Sequence, residues 1–232
     1  MAAAAIGATL SLGNWQTRRA EQKLALQAQR DAAERAAPVE VSARDLDELP
    51  RRAPLRVKLR GRFLHDRTVW LDNRMMDGRA GFFVVTPLWI EGTDTAVLVM
   101  RGFAARDPAD RQRLPAIGAP EGAVELEGLA LAEPPRLLEL GTAPSPGPLP
   151  AIWQNLDYAM FEQASGRRVA RVVVQQTSDT ADGLVRHWPR PSAGVEKHRG
   201  YAFQWYALAA LVAVLAVVIL VRGRSRPKKA TS

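Results

Sequence analysis

Hydrophobic and polar positions follow three different rhythms along this chain. From Trp15 to Ala37 the residues are mostly Ala, Gln, Glu, Arg, Lys and Leu, with no glycine or proline before Pro38. That pattern predicts one helix stopped at the proline, its charged residues forming a largely solvated face. A period of two follows. Arg56 to Phe63 sets Arg56, Lys58, Arg60 and Arg62 on one side of a strand and Val57, Leu59 and Phe63 on the other. Thr68 to Asp72 reads as a second strand, ended by the turn-like Asp72-Asn73-Arg74. Gly81 to Ile90 and Thr95 to Arg101 flank Glu91-Gly92-Thr93-Asp94, a hairpin with a four-residue loop. Ala123 to Leu129 alternates again, and its Glu125 and Glu127 are expected to face the earlier Arg/Lys ladder. Val169 to Gln175 is a further strand. The third rhythm is unbroken: Ala207 to Val221 is apolar throughout.

The connecting segments read as follows. Asp45 to Pro50 is a short helical turn or loop. Glu133 to Pro150 holds six prolines and two glycines, which predicts an irregular surface loop. Asn155 to Gly166 reads as a capped helix ending at a glycine, and Gly183 to Gly200 as an extended segment.

The closing segment from Tyr201 to Val221 would span about 31 Å as a helix, the thickness of a bilayer core. Tyr201, Trp205 and Tyr206 suit one membrane interface; Arg222, Arg224, Arg226, Lys228 and Lys229 suit the cytoplasmic one. Met1 to Leu12 is apolar but too short to cross alone, without the basic start or cleavage site of a signal peptide. It is expected to be the outer half of a first transmembrane helix that begins upstream.

The fold expected is therefore α+β, a mainly antiparallel β-sheet domain outside the membrane between two transmembrane helices. Its parts are a partial first span over 1–13, an exported periplasmic domain over 14–200, a second span over 201–221 and a basic cytoplasmic tail over 222–232. The formal charge of +8 changes little in this picture. Five of the 32 Lys and Arg lie in the tail, leaving 27 basic against 24 acidic residues, so the basicity marks topology rather than a nucleic-acid face.

Candidate chemistry is sparse. The absence of cysteine removes disulfides, thiolate metal sites and cysteine nucleophiles. No nucleophile elbow, phosphate-cradling loop or His-Glu-x-x-His motif occurs, and His65, His187 and His198 show no ligand spacing. A non-enzymatic role is expected. His198 stands out by position, three residues before Tyr201 at the membrane surface, where an imidazole can ligate iron of a lipid-dissolved cofactor or bind headgroups and water.

The chain resembles the Surfeit locus protein 1 family, membrane factors for assembling cytochrome c oxidase. The residues that carry the resemblance are Gly13-Asn14-Trp15-Gln16-x-x-Arg19; Gly81-x-x-Val84-Val85-Thr86-Pro87-Leu88; Val97-Leu98-Val99-x-Arg101-Gly102-Phe103; Trp153-Gln154-Asn155-x-Asp157; and His198-x-x-Tyr201-Ala202-x-x-Trp205. They run in order over nearly the whole chain. Lys197 and Phe103 depart from the family's usual Asn and Trp, and Met100 from its Asn. The resemblance implies binding of haem a, with His198 as axial ligand to the iron, and assistance to its placement in oxidase subunit I. It also implies subunit I, haem a synthase and membrane lipid as partners, in the cell inner membrane. Tyr201 and Trp205 would flank the macrocycle or serve as an interfacial belt; Arg101 would meet a propionate or form a structural ion pair.

Overall fold

The structure, a computed structural model, describes residues 1–110, 113–138, 148–189 and 194–224. In chain order its elements are α1 (Ala2–Arg35), β1 (Val39–Val41), α2 (Leu49–Arg52), β2 (Leu55–Phe63), β3 (Val69–Met76), β4 (Arg79–Trp89), β5 (Thr95–Ala105), β6 (Ala123–Leu131), β7 (Ala151–Trp153), α3 (Tyr158–Ser165), β8 (Arg168–Gln176) and α4 (Val195–Arg224). The fold is α+β with a mixed, mostly antiparallel sheet, and it divides into two compact units: Arg30–Arg190, and Met1–Gln29 with the described part of Pro191–Ser232.

The sheet of the first unit runs β1-β2-β6-β8-β5-β4-β3-β7, and β2 pairs again with β4 at Arg62–Trp89 and Phe63–Leu88. That extra pairing closes β2, β6, β8, β5 and β4 into a five-stranded barrel. All five strands fill its interior, among them Leu59, Leu88, Val99, Leu126 and Val172, none more than 2% exposed. A second apolar cluster lies outside the ring, where β7, α3 and the turn between them cover it with Trp153, Phe161 and Leu156. β4, β5 and β8 are thus buried on both faces, the reason they read as continuous apolar runs while β2 alternates.

The expected pairing of the charged strands is present. β2 lies antiparallel to β6, with Lys58 opposite Glu127 and Arg60 opposite Glu125, and diagonal ion pairs join Arg56 to Glu127 and Lys58 to Glu125, each at 2.8 Å. The 91–94 loop joins β4 to β5 as expected. Three readings need correction. β3 does not end at Asp72-Asn73-Arg74: Asn73, at φ +57°, sits in a bulge, and the strand reverses only at Asp77-Gly78, both at positive φ. The helix of the 155–166 segment starts later than Asn155, because Asp157 is its N-cap, accepting from Met160 N–H at 2.9 Å; Gly166 closes it in the left-handed conformation. The 183–200 segment is not extended throughout, since α4 begins at Val195.

In the second unit α1 runs unbroken through residue 13, and α4 packs against it in the opposite sense. Lys23 lies near Gly194, Gln16 meets His198, and Gly13 and Asn14 meet Tyr206. The covered positions on α1 include Ile6, Thr9, Gly13, Gln16, Ala20, Lys23 and Gln27; those on α4 include Val195, His198, Ala202, Trp205, Ala209, Val212 and Ala216. Both stripes advance by alternating steps of three and four, the spacing of a left-handed helix pair. Among the described residues, Val195–Arg222 is the one helix long and apolar enough to cross a membrane. The tail from residue 225 and the loop residues 139–147 lie outside the described residues.

Candidate functional site

The first and last of the family-like motifs meet in the helix pair. Gly13 places bare backbone against the Tyr206 ring; a Cβ there would sit 2.6 Å from the ring carbon Cε1. The close approach lets the Tyr206 hydroxyl donate to Asn14 Oδ1 at 2.8 Å and stand 3.3 Å from the Thr17 hydroxyl. Further along the seam the ring nitrogen Nδ1 of His198 lies 2.6 Å from Gln16 Oε1. His198 and Trp205 are half-buried in the seam, while Tyr201 stands beside it, 53% exposed. A cleft of about 370 Å³ opens between the helices, lined by Thr17, Ala20, Leu24, Ala202, Phe203 and Tyr206 with Glu21 and Arg199.

The arrangement is a short polar layer set in small and apolar side chains. Ala20, Ala202 and Ala209, each no more than 6% exposed, let the backbones approach, as in membrane helix pairs. Outward from α4 project Phe203, Leu211, Val214 and Ile219, at least 54% exposed. An imidazole here has one nitrogen committed to Gln16, and its Nε2 has no hydrogen-bond partner among the described residues. A half-buried nitrogen donor beside apolar and aromatic surface suits the iron of a planar macrocycle.

Arg101 belongs to the barrel unit. It is the extra residue of a bulge in β5, since Met100 faces Val85 and Gly102 faces Val84. It follows Val97 and Val99 on the inward face and closes the barrel's end, its guanidinium 5.0 Å from the Phe63 ring and wholly buried. Nη2 donates to Asp182 Oδ2 at 2.9 Å and to the Gly118 carbonyl at 2.7 Å. Arg186 binds the same Asp182 oxygen at 2.7 Å. Desolvation pushes the Asp182 carboxyl upward, yet hydrogen bonds from Arg186 and the Leu184 amide, with the charges of Arg186 and Arg101, hold it below the usual aspartate range. Gly102 must stay bare because Leu184 Cβ would be 2.7 Å from its Cβ, and Phe103 exchanges backbone hydrogen bonds with Val185. The Arg101-Gly102-Phe103 motif therefore ties the 182–186 segment across the barrel.

The remaining motifs are similarly occupied. Gln154 O and Asn155 Oδ1 accept from buried Arg74, whose pKa desolvation lowers to about 10, and Asn155 also binds the backbone of Leu137. His187 meets Asp77 at 2.9 Å, and His65 meets the Pro120 carbonyl at 3.0 Å. No group of three or more His, Asp or Glu that could hold a metal occurs among the described residues. What the sequence reading missed is the partner of His198. Gln16 stood inside a quoted motif without a role, and the three-and-four spacing that puts it in the seam was the available signal.

Comparison with known proteins places the chain in a family. The family model described as SURF1 family matches residues 3–210, from the start of α1 to within α4. Surfeit locus protein 1 of Rattus norvegicus is 29% identical over 223 residues, 88% of this chain and 69% of that protein. The Homo sapiens protein of the same name is 28% identical, covering 91% of this chain and 74% of its own length. A SURF1-like protein of Drosophila melanogaster is 31% identical over 134 residues, 51% of this chain and 44% of that protein. Identity is modest, but the match runs through both helices and the barrel between them, and the chain belongs to the SURF1 family.

Proposed function

We propose that this chain is a membrane-anchored assembly factor for cytochrome c oxidase that holds haem a and assists its insertion into subunit I. The family's link to oxidase assembly supports the process. The observation that carries the site is the half-buried His198 in a polar layer shared by both helices. Two membrane passes, a periplasmic barrel and a cytoplasmic C-terminus complete the reading. It is supported by the apolar length of α4 and the antiparallel partner that α1 supplies from residue 13 back toward Ala2. Subunit I, haem a synthase and membrane lipid are the partners, and the role is non-enzymatic.

His198 would hold the haem iron, and Tyr201 and Trp205 would give the macrocycle apolar and π contact. The bound group would supply a redox-active iron, held by the His198 imidazole. Arg101, already joined to Asp182 and Gly118, keeps a structural task in this reading. A haem-free scaffold is the second reading, favoured by the interhelical character of the His198–Gln16 bond, which also serves to hold the helices together.

Full-length protein purified from cells co-expressing haem a synthesis tests both. The expected result is a haem a spectrum in the wild type that His198→Ala abolishes. An equal spectrum in His198→Ala removes the histidine from the role, and a colourless wild type co-purifying with subunit I establishes the scaffold instead.

A further inference from the structure

We infer that Gln16 is the positioning residue for His198, selecting its tautomer so that Nε2 is the nitrogen that meets iron. The inference rests on the proposed haem-binding role of His198. A neutral imidazole has one N–H and one lone pair, and its hydrogen-bond partner decides which nitrogen has which. The atom facing Nδ1, at 2.6 Å, is the side-chain carbonyl oxygen of Gln16, which can only accept. Nδ1 must then carry the proton, leaving the lone pair on Nε2. Histidines that bind metals commonly give their other N–H to such an acceptor, which fixes the ring and raises the ligand's basicity.

The seam makes this contact specific. Gln16 and His198 both occupy covered positions in the alternating three-and-four stripe. Rotation of either helix is resisted nearby, where Gly13 seats the Tyr206 ring and Asn14 accepts from its hydroxyl. Among covered neighbours in this part of the seam, Gly13, Ala20, Val195 and Ala202 have no polar side-chain atom. The Thr17 hydroxyl is engaged instead with the Gly13 carbonyl at 3.1 Å and the Tyr206 hydroxyl at 3.3 Å. A polar pair in such a seam could also serve only to set helix register. The two roles differ in what they require: register needs the helices joined, whereas positioning needs an acceptor on Nδ1.

The test uses full-length protein with two variants, Gln16→Met, which keeps length without the carbonyl, and Gln16→Glu, which keeps an acceptor. Nitrogen-15 spectra of the haem-free protein report the His198 tautomer; titration with haem a and its midpoint potential report the ligand. The expected result is an Nδ1–H tautomer in the wild type that becomes mixed in Gln16→Met, with haem held about tenfold more weakly. Gln16→Glu should restore retention and lower the midpoint potential, because a stronger acceptor makes the imidazole a better donor. Tautomer and potential alike in wild type, Gln16→Met and Gln16→Glu, while His198→Ala still strips the haem, would overturn the role of Gln16 alone. A wild-type spectrum that survives His198→Ala would overturn both the ligand and its positioning.

Discussion

The barrel and the helix pair treat polar side chains in opposite ways. In the barrel the most buried charges are consumed internally: Arg101 and Arg186 converge on Asp182, and Arg74 is held by Gln154 and Asn155. These groups brace the sheet from within, and their remaining N–H groups, Arg101 Nε and Nη1 among them, are sealed away from solvent. In the helix pair the polar layer is small, covered on one side by the partner helix, and surrounded by exposed apolar side chains such as Phe203 at 73%. The difference teaches where binding chemistry can reside. A polar side chain sealed among barrel neighbours braces the scaffold, while one with a single orienting bond and a spare nitrogen in the helix seam keeps a group that a ligand can use.

Removing the anion from the barrel should produce the largest effect. Asp182→Ala leaves two buried guanidinium groups without their carboxylate and is expected to cost about 3–5 kcal/mol. Denaturant unfolding of the full chain checks it, and a wild-type midpoint would break the division between scaffold and site. The same residue makes the barrel acid-sensitive. Its folded pKa lies below the unfolded value near ~3.9, so its contribution is complete above that value and disappears as pH falls through the folded one. An acid-unfolding curve should therefore steepen below about pH 4 in the wild type and flatten in Asp182→Ala.

A smaller change tests the other half of the comparison. Gly13→Val drives a branched side chain into the Tyr206 ring, and overpacking of this kind costs about 1–3 kcal/mol. Amide exchange around residues 198–206 should accelerate while barrel protection stays as it was. Protection lost in both places would show that the units do not behave separately. The smallest effect is expected at the surface ladder. Lys58→Ala removes an exposed pair with Glu125, whose partner charges already have water to replace them, and the unfolding midpoint should not move measurably.

Much of this architecture was legible without coordinates, for identifiable reasons. The alternation of Arg56 to Phe63 reports directly on a strand with one buried face, and opposite charges on Ala123 to Leu129 name its neighbour. β1 and β7 were not legible because three residues are too few to show a period. β3 was cut short because Asp72-Asn73-Arg74 carries turn residues that serve a bulge, while the true reversal at Asp77-Gly78 lies four residues on. In the helix seam, His198, Tyr201 and Trp205 were singled out by their place before an apolar run, but the Gln16 partner of His198 was not, since it lies 182 positions away.

The sequence by itself determined the local elements: helix where small and charged residues repeat without breakers, strand where polarity alternates, and a span where polarity vanishes. These follow from interactions among residues a few positions apart. Only the tertiary structure decided the closure of β2 onto β4, the burial of Arg101 against Asp182 81 positions later, and the meeting of Gln16 with His198. Those depend on which surfaces exclude water together, and no local pattern records the partner that a buried polar atom finds.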